Sequence, residues 1–300
     1  MTPDMPRRKP GEPAITPDEL VSELKPGMSV LDAGCGSGSF AYAAHPDIII
    51  SACDILPPTP FPDLPNVRYR QLAAENLDYP ASSFDLVILN FVLEHAQDPS
   101  RILRLCHATL KPGGMLYCSV PNSPHFEDRL FRAYDRFLKI LTLKPFERIE
   151  HIQRFTRENL ASIALSVGLI PTAYAAVPAG FGWAHRPIDG LATSKGRIRD
   201  RLKASICRMI LGWVHVWLGF YRLFGHADPR LGANILYTFA KGEPKEVGRD
   251  ELKAMTAALP ARIFTHSCGH CGLPILIEGA DSPLRPHRWR CPRCRSSNEL

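Results

Sequence analysis

Apolar positions fall along the first 180 residues in two alternating rhythms: short, nearly continuous runs, and longer stretches with helical spacing. Thr16-Pro17-Asp18-Glu19 is a helix start, with Thr16 as cap, Pro17 at the first helical position and Glu19 able to close a capping box. That helix runs to about Lys25 and stops at Pro26-Gly27. Strands are predicted over 28–32, 48–52, 67–72, 84–90 and 115–120, with helices over 39–44 and 101–110. The run Phe84-Asp85-Leu86-Val87-Ile88-Leu89-Asn90 is apolar enough for a strand covered on both faces. A helix over 155–168, capped by Thr156 and stopped by Gly168, precedes two last strands at 170–177 and 233–240. The alternation predicts an α/β fold built on a doubly wound, mostly parallel sheet of seven strands, with ligands beyond the strands' carboxyl ends.

The last two strands are separated by an insertion, about 183–231. Within it Asp200 to Phe224 is strongly helical, and Met209 to Tyr221 is an uncharged core bounded by Arg208 and Arg222. Those thirteen residues are too few to span a bilayer, which takes about twenty. Three readings stay open: a lid over a substrate pocket, a dimer or protein-partner face, or a helix lying in a membrane interface. Lys195, Arg197, Arg199, Arg201, Lys203 and Arg208 lead into the apolar core beside Trp213 and Trp217, which suits the third.

Composition narrows the class. The chain has 300 residues, 45% hydrophobic and 22% charged, as expected of a soluble globular protein with one large core, or with one core plus a small satellite. A formal charge of +6 is too mild to indicate nucleic-acid binding by itself. The first residues, proline-rich and basic, read as a disordered tail over 1–15 rather than a secretory leader. The nine cysteines make no disulfide framework, so a cytoplasmic protein is expected, or one peripheral at a membrane.

The candidate chemistry begins at Val30-Leu31-Asp32-Ala33-Gly34-Cys35-Gly36-Ser37-Gly38, a strand ending in an acid and then a glycine turn. A phosphate-cradling loop would carry Lys-Ser or Lys-Thr here, and a dinucleotide fingerprint would place its third glycine one residue later. The stretch resembles motif I of the class I S-adenosylmethionine (AdoMet)-dependent methyltransferases, whose fold is a seven-stranded Rossmann-like sheet. Asn90-Phe91-Val92-Leu93-Glu94-His95, Asp98, Leu110-Lys111-Pro112-Gly113-Gly114, His151 and Phe155-Thr156 are similar to the small-molecule enzymes of ubiquinone and menaquinone biosynthesis. The resemblance covers about 16–178 and 233–242 and implies AdoMet as cofactor. It places Asp32, Gly34, Gly36 and Gly38 against the methionine part and beneath the ribose. Asp54 would hold the ribose hydroxyls, Glu75 or Asn76 the adenine edge, and Leu77 the wall along the ring, with Asn90 at the end of the fourth strand.

Methyl transfer is an in-line displacement that needs the acceptor held about 3 Å from the methyl carbon. A phenol or hydroxyl acceptor also needs a base, for which His95 and His151 are candidates. His95 also reads as a structural cap of the following helix. The Asn/Asp-Pro-Pro-Tyr/Phe arrangement of enzymes acting on exocyclic base amines is missing after the fourth strand.

At the C-terminus, Cys268-Gly269-His270-Cys271 and Cys291-Pro292-Arg293-Cys294 have the spacing of two thiolate turns that converge on one structural Zn²⁺. The expected domains are therefore 16–244 and a zinc-ribbon-like 245–300, whose folding the metal would support. Arg285, Arg288, Arg290, Arg293 and Arg295 with Trp289 can form a phosphate-binding face or a docking surface. The leading expectation is methyl transfer to a small-molecule or lipid-linked acceptor, with oxygen favoured. The alternatives are an RNA or protein methyltransferase recruited by the ribbon, nucleic acid not being favoured, and a catalytically silent binding scaffold.

Overall fold

The computed structural model describes residues 11–56, 64–122, 136, 152–177, 202–203, 205–210, 212–213, 216, 234–263, 266–267, 274–275, 288–290 and 297–299. Helix α1 (Pro17–Ser22) starts as its sequence requires. The Thr16 hydroxyl accepts from the Glu19 amide, and the Glu19 carboxylate accepts from the amides of Ile15 and Thr16, each at 3.1 Å. Then follow β1 (Ser29–Ala33), β2 (Ile49–Asp54), β3 (Val67–Gln71), β4 (Phe84–Asn90), α2 (Pro99–Thr109) and β5 (Leu110–Pro121). Helix α3 (Arg157–Ser166), β6 (Leu169–Val177), β7 (Asn234–Lys241), α4 (Arg249–Ala258) and β8 (Ala261–Ile263) complete the main body. The segment expected as a helix over 39–44 is a single 3-10 turn, Tyr42–Ala44.

The main sheet runs β3-β2-β1-β4-β5-β7-β6-β8. Strands β1 to β5 are parallel, and β7 runs antiparallel between β5 and β6. The order reverses between β1 and β4, and the crevice beyond their carboxyl ends is where such sheets bind ligands. Two cores flank the sheet, partitioned by strand periodicity. Val30, Leu86 and Ile88 pack beneath α1, while Leu31, Val87 and Leu89 pack against α2 and α3. All six are fully buried, and truncating any one of the leucines or isoleucines to alanine should cost roughly 2–5 kcal/mol.

The expected count of seven strands is corrected: the main sheet has eight. Helix α4 packs on α3, and β8 adds an eighth strand parallel to β6. Arg262, at the centre of β8, is buried and paired with Glu19 and with Glu12, the latter at 3.3 Å. The chain beyond 244 thus closes back onto its first helix. A buried arginine with two carboxylate partners fits a strand that covers α1, because an unpaired charge there would be strongly destabilising.

Beyond β8 two short antiparallel pairs are described: β9 (His266–Ser267) with β10 (Pro274–Ile275), and β11 (Arg288–Arg290) with β12 (Ser297–Glu299). Cys268, Cys271, Cys291 and Cys294, like His151 and most of the insertion, lie outside the described residues. Among the described residues no group of His, Cys, Asp and Glu could hold a metal ion, and no helix is long and apolar enough to cross a membrane.

Candidate active site

The glycine turn leaves β1 at Ala33 and bends immediately. Gly34, Gly36 and Gly38 have φ of +72°, +50° and +105°, the left-handed region that side chains disfavour. The amides of Gly34 and Cys35 both donate to the Cys53 carbonyl, at 2.8 and 3.0 Å, which holds the turn against the end of β2. Gly34 also faces the segment after β4. A Cβ there would lie 2.4 Å from Val92 Cγ2, so the turn and the β4 exit touch only because position 34 has no side chain. At Gly36 a Cβ would meet nothing within 4 Å, so the middle of the turn is open on the side a ligand would occupy.

Asp54 ends β2 beside this opening. Its Oδ2 accepts from the Gly36 amide at 2.8 Å and its Oδ1 from the Leu56 amide at 2.9 Å. Each oxygen keeps a lone pair, so a carboxylate fixed by two backbone amides can still accept from paired hydroxyls. Asp32 has a different place from the expected one. It is completely buried beneath the turn and points away from the opening. Its Oδ1 accepts from the Ser39 hydroxyl at 2.7 Å, and its Oδ2 from the Ser39 amide at 2.9 Å and the Tyr42 hydroxyl at 2.5 Å. Asp32 therefore positions the turn through Ser39 and Tyr42. Burial, with Asp32 alongside, pushes the Tyr42 hydroxyl far up and keeps it a donor. Burial likewise raises the thiols of Cys35 and Cys53, the latter to about 12, so neither is a thiolate at neutral pH.

Glu75 and Asn76 lie on a 3-10 turn, Ala74–Asn76, half-buried and exposed respectively. The Glu75 carbonyl accepts from Arg101 Nε at 2.9 Å, which ties this turn to α2. Leu77, expected along the adenine ring, is instead buried in the core shared with α2 and α3. Its packing there accounts for its apolar character.

The exit of β4 forms the opposite wall. Asn90 Oδ1 accepts from the Ser119 hydroxyl at 2.7 Å. Phe91 then takes φ +58°, and its amide donates to Ser119 on β5. A bulky residue in the left-handed region costs about 1–2 kcal/mol, strain of the kind that clusters at ligand sites. A 3-10 turn, Leu93–His95, follows. The His95 side chain is 30% exposed at the cleft, and its Nε2 lies 4.0 Å from Glu94 Oε1.

Glu94 escapes sequence reasoning because it reads as one more polar residue after a strand. It is only 1% exposed, and its Oε2 has no hydrogen-bond partner. Burial pushes its carboxyl up to about 8, opposed only by its own backbone amide. Near neutral pH the group is therefore mostly a neutral acid. The signal that could have found it is a carboxylate directly beside a cleft histidine, where perturbed groups gather. The Glu94 carbonyl accepts from the amides of Ile152 and Gln153 at 2.8 and 3.0 Å, and Gln153 Nε2 reaches the Ala96 carbonyl at 3.2 Å. The chain next to His151 is thus pinned across the His95 turn.

Comparison with known proteins bears on this crevice. A family model described as a methyltransferase domain matches residues 8–172, more than half of the chain. The chain is similar to the ubiquinone biosynthesis O-methyltransferase of Coxiella burnetii, 35% identical over 116 residues, 36% of this chain and 47% of that protein. It is also similar to the protein of the same name from Pseudomonas syringae pv. tomato, 36% identical over 105 residues, 32% of this chain and 45% of that one. The chain spans about half the length of the curated relatives it matches. Among solved structures, the 1,6-didemethyltoxoflavin-N1-methyltransferase of Burkholderia thailandensis aligns over 75% of each chain, at 18% identity and a TM-score of 0.43.

Proposed function

Because this chain belongs to the methyltransferase-domain family, we propose that it transfers a methyl group from AdoMet to a small-molecule or lipid-linked acceptor, at oxygen. The single observation that carries the reading is the open glycine turn clamped between Asp54 and the β4 exit at the switch point of the sheet. Gly34, Gly36 and Gly38 would let backbone lie against the nucleoside, Asp54 would take the ribose hydroxyls, and Glu75 or Asn76 the adenine edge. Asn90 closes the floor, and Asp32 holds the turn from below.

AdoMet, when bound, supplies the electrophilic methyl group; the residues described here supply position and proton handling. His95 stands at the cleft, able to accept the acceptor's O–H proton at Nε2 or Nδ1. Glu94 lies 4.0 Å behind it, a buried acid that becomes a counter-charge only when it gives up its own proton. Glu94 is thus a positioning residue acting through His95, and His151 is a second candidate base. Similarity to two ubiquinone biosynthesis O-methyltransferases supports an oxygen acceptor, and no residue beyond His95 is needed to accept a phenolic proton.

The four C-terminal cysteines are proposed to hold one structural Zn²⁺. In sequence, Cys268 and Cys271 fall between the paired strands β9 and β10, and Cys291 and Cys294 between β11 and β12. Two hairpins, each carrying one CxxC between its strands, would bring four thiolates to one ion. The protein is proposed to work in the cytoplasm.

The test is calorimetric titration with AdoMet and its demethylated product, followed by methyl transfer from labelled AdoMet to phenols with and without a polyprenyl tail. Saturable binding and O-methylated product are expected. Failure to bind either nucleoside would overturn the reading. Label found only in RNA or protein would replace the acceptor while leaving the cofactor site intact.

A further inference from the structure

The described residues between 202 and 216 are helical, and the large apolar ones among them face outward. Leu202, Met209, Trp213 and Val216 are all exposed, Trp213 by 64%. At about 100° per residue, spacings of seven, four and three place the four within roughly 60° of arc, a single ridge. Cys207, on the opposite side of the same turns, is fully buried, so that side of the helix is covered. A helix with one face docked and an apolar ridge still exposed has the reverse of ordinary surface amphipathicity.

Charge identifies what covers the ridge. Residues 195–224 contain seven Lys and Arg against one Asp, so this segment alone accounts for the +6 formal charge of the entire chain. The rest of the molecule is balanced. Lys203 and Arg208 lie on the two flanks of the ridge, about 100° and 120° from Leu202, where their cations sit at the level of the apolar edge. Apolar side chains with an aromatic anchor, bordered on both sides by cations, match the boundary between acyl chains and acidic headgroups. A second copy of the chain would instead bring Lys203 and Arg208 against like charges.

We infer that the exposed ridge Leu202–Met209–Trp213–Val216, flanked by Lys203 and Arg208, docks this protein on an anionic lipid bilayer. The inference goes beyond the reaction proposed above and stands without it. Its consequence for that reaction is direct: a chain held at a bilayer surface has access to acceptors that never leave the membrane.

Flotation of the full chain with vesicles tests it. Vesicles of phosphatidylcholine with phosphatidylglycerol should carry the protein up the gradient, and pure phosphatidylcholine vesicles should carry at least tenfold less. Met209→Ser with Trp213→Ser should lower partitioning by tenfold or more. Lys203→Glu with Arg208→Glu should do the same and flatten the salt dependence. Ile49→Ser, at an exposed apolar position on β2 outside the ridge, should change nothing. AdoMet titration of each variant, expected to match the unsubstituted chain, shows that the fold persists and keeps a failure here distinct from a failure of the cofactor reading. The inference is overturned if anionic vesicles do not bind, or if Met209→Ser with Trp213→Ser leaves binding unchanged. It is also overturned if sedimentation velocity shows a dimer that this pair of substitutions dissolves, or if RNA outcompetes the vesicles and binds the serine variant equally well.

Discussion

Two carboxylic acids are buried at adjacent strand ends of this fold, and they have opposite surroundings. Asp32 at the end of β1 accepts three hydrogen bonds from Ser39 and Tyr42, and its charge is fully engaged. Glu94, just past β4, has an oxygen with no partner and a carboxyl pushed up to about 8. Equal burial therefore says little about the role of an acid; the supply of donors decides it. Asp32 spends its charge on shaping the glycine turn, whereas Glu94 holds its proton in reserve beside His95.

The largest effect expected from breaking this contrast is at Asp32. Asp32→Ala leaves the Ser39 and Tyr42 donors buried without their acceptor and should cost on the order of 3–5 kcal/mol, read from urea unfolding. Asp32→Asn keeps an acceptor and should cost roughly half as much. Equal losses for the two would mean that the cavity, not the hydrogen bonding, matters.

Glu94→Gln should act in the opposite sense on stability. A carboxyl near 4.5 when unfolded and about 8 when folded binds its proton more tightly in the native state. Between those values the folded chain keeps a proton that the unfolded chain has lost, so stability falls as pH rises through this window and is level outside it. Glutamine removes the decline and should add on the order of 4 kcal/mol at pH 8 while adding nothing at pH 4. The same substitution should lower methyl transfer roughly 100-fold with little change in AdoMet affinity, and it should shift the alkaline side of the rate profile. A variant that gains stability and keeps full activity would make Glu94 a mere packing defect.

Asp54 sharpens the comparison from the ligand side. Asp54→Ala should weaken AdoMet binding roughly 10- to 100-fold in calorimetry and change the unfolding midpoint little, because its two protein partners are backbone amides on a partly open loop. The smallest effect is expected at Phe91, where glycine relieves the left-handed backbone but gives up a half-buried ring. Phe91→Gly should stay within about 1 kcal/mol of the parent chain by thermal melting, while Phe91→Val should fall below it.

Much of this molecule was legible because its signals are local. The Thr16–Glu19 capping box, the apolar run of β4 and the Thr156 cap of α3 all sit where their residues predict. The misses share a physical cause, since each depends on a partner distant in sequence. The three residues of β8 centre on an arginine, and only Glu12 and Glu19 make that arginine a core residue. Asp32 reads as a ligand contact until Ser39 and Tyr42 are seen to claim it. Glu94 needed the chain after β5, from Ile152 onward, folded across it before its burial could show. At the site, the glycine turn and Asp54 meet where their places at the ends of adjacent strands put them, but the inward turn of Asp32 and the core position of Leu77 were not readable, because sequence gives spacing and not facing.

The pairing of Arg262 with Glu19 spans 243 residues. On a ribosome, α1 emerges among the first segments made, and its cap can form at once. The cation that pairs with its Glu19 is not made until almost nine-tenths of the chain has been synthesised. A nascent protein stalled anywhere before β8 would leave two carboxylates, Glu12 and Glu19, waiting near its start for a partner not yet made.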